Sequence, residues 1–141
     1  MKLFKPQFWD KKNNIFSIIL LPLTFLVLIF IFLKKKLIKP KKFKIPIICI
    51  GNIYIGGTGK TPTSIFLANE ISKLGKNPVI LKKFYENQYD ENNLIAANFK
   101  NFILKKNRLD GVQEAENQGF DIVILDDGFQ DYWFEKDLNI L

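Results

Sequence analysis

The alternation of apolar and polar positions divides the chain into three stretches. Ile15 to Leu33 carries no charge, and only Ser17, Pro22 and Thr24 interrupt its apolar character. As a helix at about 1.5 Å per residue it would be ~29 Å long, close to the hydrocarbon thickness of a bilayer. Lys34 to Lys44, with Pro40, shows no core pattern and reads as a basic connector. From Ile45 onward, short aliphatic runs alternate with segments of helical period, the mark of a parallel sheet with flanking helices. The runs are Ile45–Ile50 (interrupted by Pro46), Pro78–Leu81 and Ile122–Leu125, so about three strands are expected, and Asp137–Leu141 reads as the opening of another. Ile65, Phe66, Ala68, Ile71 and Leu74 recur at helical spacing ahead of a capping Gly75. A second helix is expected through Leu94, Ile95, Ala97 and Phe102, and a third over Arg108–Gln118, closed by Gly119.

The turn after the first strand carries the densest chemistry. Gly51-Asn52-Ile53-Tyr54-Ile55-Gly56-Gly57-Thr58-Gly59-Lys60-Thr61-Pro62 places a glycine-rich loop between a strand and a helix, the context a phosphate-binding loop requires. Glycines let successive backbone N–H groups curl around phosphate oxygens, at the positive end of a helix dipole. Tyr54, Ile55, Gly56, Gly57, Thr58 and Gly59 would form the cradle. Lys60 would reach the β- and γ-phosphates, and the Thr61 hydroxyl would ligate magnesium. The first glycine of the general pattern would fall at position 54, where this chain has Tyr54. An ordinary glycine turn is the plain alternative.

Asp121-Ile122-Val123-Ile124-Leu125-Asp126-Asp127-Gly128 is the second signal. Four aliphatics ending in acid describe a buried parallel strand that delivers a carboxylate to its C-terminal edge, beside the nucleotide in such folds. Asp126 or Asp127 then reads as a magnesium- or water-organising group; a strand running into an Asp-Gly turn is the alternative. Asp90, ahead of an apolar-periodic stretch, reads either as a helix cap or as a carboxylate aimed at the site.

Charge and composition narrow the partners. The net charge of +7 is uneven: lysines crowd the first 44 residues, while Asp121 to Asp137 holds six acids. The lysines flank the apolar run, which favours anionic lipid over nucleic acid as the partner. A signal peptide would have a shorter apolar core followed by small residues, and a core helix rarely carries lysines at both ends. A helix broken near Pro22 that only dips into the bilayer stays open. Phe8 and Trp9 could anchor at the interface. Lys34, Lys35, Lys36, Lys39, Lys41, Lys42 and Lys44 outnumber Lys2, Lys5, Lys11 and Lys12, which puts the C-terminal portion on the cytoplasmic side. The one cysteine, Cys49, lies inside an apolar strand, and the absence of histidine removes histidine-based zinc sites and general bases. The expected organisation is a basic, aromatic segment (1–14), a membrane helix (15–33), a basic linker (34–44) and a P-loop domain (45–141). A P-loop domain usually has a five-stranded or larger sheet, so these 141 residues are expected to be part of a longer domain.

Gly51-Asn52, then Gly56-Gly57-Thr58-Gly59-Lys60-Thr61-Pro62, then Asp126-Asp127-Gly128-Phe129-Gln130, resembles the tetraacyldisaccharide 4′-kinase (lipid A kinase) family. That family also has an apolar N-terminal helix, and its loop also lacks the first glycine. The resemblance covers essentially the whole chain and the N-terminal half or less of a family member. It implies a P-loop NTPase-type α/β fold, ATP and Mg2+, and transfer of the γ-phosphoryl group to the 4′-hydroxyl of an acylated glucosamine disaccharide 1-phosphate. It implies anchoring among inner-membrane lipids at the cytoplasmic face, with no nucleic-acid partner. It also matches Tyr89-Asp90-Glu91-Asn92 to the family's Gly-Asp-Glu-Pro, which makes Asp90 a candidate base alongside Lys60. The departures are Lys83-Phe84-Tyr85 for Arg-Gly-Tyr, Asp131 where histidine is usual, and no histidine partner for Asp90. A membrane-tethered nucleotide-binding module without lipid chemistry is the competing function; a metallochaperone-type GTPase fits one cysteine and no histidine poorly.

Overall fold

The structure, a computed structural model, describes residues 15–51, 59–86 and 88–141, with side chains at 16, 17 and 35 left aside. The chain divides between Ile38 and Lys39 into two compact units.

The first unit is helix α1, Ile15–Leu37, with Pro22 inside it. The helix runs on through Lys34 and Lys36 into the stretch that the sequence assigns to the connector. Proline cannot donate to the carbonyl four residues back; two residues on, the Thr24 hydroxyl donates to the Leu20 carbonyl at 3.1 Å. Apolar side chains are exposed around the helix, among them Leu21, Leu23, Phe25, Leu26, Phe30 and Phe32. Among the described residues no helix is long and apolar enough to cross a membrane.

The second unit is a five-stranded, all-parallel sheet in the order β3-β2-β4-β1-β5. Its elements are β1 (Ile47–Ile50), α2 (Lys60–Lys73), β2 (Pro78–Lys83), α3 (Tyr89–Asn98), β3 (Phe102–Lys105), α4 (Arg108–Asn117), β4 (Ile122–Asp126) and β5 (Leu138–Ile140). Strand side chains alternate between two faces, so each aliphatic run feeds two cores. Ile47, Cys49, Val79, Leu81, Val123 and Leu125 pack with Val112 and Ala115 of α4. Ile50, Ile80 and Ile124 pack with Ala68 and Ile71 of α2 and Ile95 of α3. The split follows from handedness. From β1 through β2 to β3 the chain moves one way across the sheet, and from β3 to β4 it moves back. Right-handed crossovers therefore place α4 on the face opposite α2 and α3.

Several sequence expectations need correction. There are five strands rather than about three, because Phe102 belongs to β3 and not to the helix before it; α3 ends at Asn98, and Phe102 pairs with Ile80. Phe66 and Leu74 share the helical spacing of α2 but are exposed, and the helix instead buries Thr61, Ser64, Ala68 and Ile71. Within the basic connector, Phe43 is buried against Phe134, edge to face at 6.3 Å, with the Lys41 ammonium over its ring. The terminal stretch does form a strand: β5 pairs with β1, and the Gly51 amide donates to the Ile140 carbonyl.

Candidate active site

Strand β4 lies between β1 and β2, and its apolar run ends with Asp126 at the C-terminal edge of the sheet. Helix α2 starts above the same edge, so its first residues meet that carboxylate. The Thr61 hydroxyl donates to Asp126 Oδ2 at 2.9 Å, and the Ser64 hydroxyl, one turn on, donates to Oδ1 at 3.2 Å. The two positions are three apart and share a helix face. Asp126 is 1% exposed, so these donors compensate a carboxylate removed from water. Lys60 forms a salt bridge to Asp127 Oδ1 at 2.8 Å. The fold thus unites Lys60, Thr61, Asp126 and Asp127 although more than sixty residues separate the pairs.

Asp127 has a left-handed backbone, φ 64°, a conformation that aspartate tolerates better than most residues and that turns the chain sharply off β4. Its amide donates to the Ile50 carbonyl, and its own carbonyl accepts from Arg108 Nη2. Lys136 donates to the Gly128 and Phe129 carbonyls at 2.8 and 2.9 Å. Burial pushes the Lys136 ammonium below the ordinary lysine range, against the pull of Cys49 and Asp131. The Asp-Gly turn of the plain reading is therefore present, and it is also what sets Asp127 over the edge of the sheet. Gly128 is closely packed: a Cβ there would stand 3.0 Å from Leu125 Cδ1.

These residues border a cleft of about 440 Å³, lined by Gly59, Lys60 and Thr61 on one side, Lys82, Glu91 and Arg108 on another, and Asp126 and Asp127 at its floor. Tyr54, Ile55, Gly56, Gly57 and Thr58 lie outside the described residues. Asp90 is exposed in the first turn of α3 and is not the cap: Gln88 holds the N-cap position. Its neighbour Glu91, rather than Asp90, lines the cleft. Sequence reasoning missed Lys82, Glu91, Ser64 and Arg108. A lysine at the end of an apolar strand was the visible signal for Lys82; Arg108 and Ser64 offered none before the fold placed them.

Among the described residues no group of three or more acidic, cysteine or histidine side chains could hold a metal unaided. Magnesium usually needs less, one or two carboxylates with substrate phosphates and water completing its oxygen shell. The Thr61 hydroxyl, its hydrogen directed at Asp126, keeps lone pairs for a cation, and the Asp127 carboxylate is 49% exposed. Both are hard oxygen donors of the kind magnesium prefers.

An all-parallel sheet that sets the Gly-Lys-Thr start of a helix against an acidic pair at the end of a central strand defines an α/β protein of the P-loop type. The family can be stated too. The chain belongs to the tetraacyldisaccharide-1-P 4′-kinase family, whose model matches residues 16–141. It is 43% identical over 146 residues to the tetraacyldisaccharide 4′-kinase of Pelagibacter ubique (strain HTCC1062), covering 100% of this chain and 45% of that protein. It is 38% identical to the tetraacyldisaccharide 4′-kinase of Aliarcobacter butzleri (strain RM4018), covering 95% of this chain and 48% of that one. Its fold matches the crystal structure of LpxK from Aquifex aeolicus in complex with ATP, with a TM-score of 0.70 and 29% identity, over 86% of this chain and 47% of that one. The chain therefore spans somewhat under half the length of these relatives.

Proposed function

We propose that the chain binds ATP in this cleft and supplies the phosphate-binding portion of a kinase that phosphorylates the 4′-hydroxyl of a tetraacyldisaccharide 1-phosphate, a lipid A precursor. The observation that carries the reading is the meeting of Lys60, Thr61, Asp126 and Asp127 at one sheet edge, in a chain of this family. Phosphoryl transfer draws mainly on positioning and charge stabilisation, which these groups provide. Lys60 exchanges its half-exposed Asp127 partner for the β- and γ-phosphate oxygens. Thr61 and Asp127 would hold magnesium, which would supply charge neutralisation at the phosphates. The bond from the sugar 4′-oxygen to the γ-phosphorus forms as the bond to the β,γ-bridging oxygen breaks, and the hydroxyl proton passes to Asp90 at the start of α3. The same reading lays α1 among inner-membrane lipids on the cytoplasmic face. There its exposed apolar side chains meet acyl chains and the lysines beyond meet anionic headgroups.

The test is phosphate transfer from radiolabelled ATP to the disaccharide by the complete gene product, with Lys60→Ala expected to abolish it. A complete product that transfers nothing at any magnesium concentration sinks the kinase reading. A second reading, a membrane-tethered nucleotide-binding module, draws on Asp90 lying outside the cleft lining. It predicts ATP binding without transfer, and no effect of Asp90→Asn.

A further inference from the structure

Lys82 brings a full positive charge to the carboxylate at the centre of the site. It stands on β2 with Asp126 as its register partner on β4, and its side chain is 3% exposed. Nζ donates to Asp126 Oδ2 at 3.0 Å and also to Glu91 Oε2, so it bridges the sheet to the first turn of α3. Asp126 Oδ2 also takes the Thr61 hydroxyl and Oδ1 takes Ser64, so three donors of the chain occupy both oxygens of this carboxylate. A divalent ion on Asp126 would share the carboxylate with the ammonium, and two cations on one buried carboxylate repel each other. Burial alone would push Lys82 below the ordinary lysine range, but Glu91 and Asp126 together outweigh it and hold the group above that range.

We propose that Lys82 is a built-in cation of the phosphate site: it holds Asp126, and through it Thr61, in the arrangement that a divalent ion would otherwise enforce, so that nucleotide phosphate binds with little dependence on magnesium. The proposal rests on the ATP-binding reading and deepens it by naming the charge that organises the site. Lys82 acts through Asp126 and Thr61 and is a positioning residue. Magnesium remains with Thr61, Asp127 and the phosphates, where it serves transfer more than binding.

The experiment is ATP binding to the full chain by titration calorimetry, in excess EDTA and again in excess magnesium. For the wild type the two dissociation constants are expected within about threefold of each other. Lys82→Met is expected to bind at least about tenfold more weakly in EDTA, the equivalent of one charge-assisted contact. Magnesium should then restore that variant to within about threefold of the wild type, because the ion can occupy the vacated carboxylate. In Lys82→Met/Asp126→Asn the rescue should vanish. A Lys82→Met loss of equal size in both conditions means a merely structural lysine and overturns the proposal. If Lys82→Met does not fold, the wild type alone decides: metal-free binding supports the proposal, and a tenfold or greater magnesium requirement overturns it. Binding only with magnesium leaves the kinase reading intact, whereas no binding in either condition overturns both.

Discussion

Replacing Asp126 by alanine removes the acceptor for three side chains at once, and the structure sets the size of the penalty. Thr61 and Ser64 each lose a hydrogen bond to the carboxylate, worth about 1.5 kcal/mol apiece at the low end for a charged acceptor. Lys82, almost fully buried, loses its buried partner within the sheet. Breaking a buried ion pair from one side costs about 3–5 kcal/mol, and the low end applies because Glu91 still reaches the ammonium from a half-exposed position. These contributions overlap, and about 4 kcal/mol is expected for Asp126→Ala, a large share of the 5–15 kcal/mol typical of a domain. Asp126→Asn keeps the shape and one acceptor and should cost about 2–3 kcal/mol. Lys82→Met/Asp126→Leu leaves no stranded charge, so its cost should fall short of the sum of the two single losses by about 2 kcal/mol. Urea unfolding followed by far-UV circular dichroism gives all of these values, with Lys82→Met and Asp126→Leu also measured alone. An Asp126→Ala cost under about 1 kcal/mol, or additive single losses, would refute the account of Asp126 as the buried hub.

Two further outcomes test the packing. Gly111 on α4 lies against Leu81, where an added Cβ would collide with the fully buried side chain; Gly111→Ala should lower the urea midpoint, because overpacking at about 1–3 kcal/mol exceeds the helix propensity gained, and a raised midpoint would show that α4 has room to move. Cys49 is wholly buried, and burial pushes its thiol above the ordinary range against the pull of Lys136. It should resist iodoacetamide in the native state and react on unfolding. Its folded pKa being raised, its contribution to stability is complete below the ordinary thiol value of 9.0 and is lost as pH climbs through the raised one. Native-state labelling as fast as that of a free thiol would contradict this placement.

The local pattern by itself determined most of the strand and helix alternation, and with it the parallel α/β class. Four aliphatics in a row at Ile122–Leu125 admit few environments other than a strand covered on both faces, and Gly-Lys-Thr between strand and helix marks a phosphate site. Both signals depend on residue type and short spacing, which a sequence displays. Phe102 was misassigned because a short apolar run fits helix or strand equally, and only pairing with Ile80 on β2 decides it. Phe66 and Leu74 matched the period of α2, but the angle at which the helix lies on the sheet chose Thr61, Ser64, Ala68 and Ile71 as its buried positions. Tertiary structure alone brought Lys82 of β2, Glu91 of α3, Ser64 of α2 and Arg108 of α4 to the edge where Asp126 and Asp127 end β4. The reason is topological. Strand order β3-β2-β4-β1-β5 is fixed by which faces can be covered by right-handed crossovers, a property of the assembled sheet that no window of neighbouring residues contains.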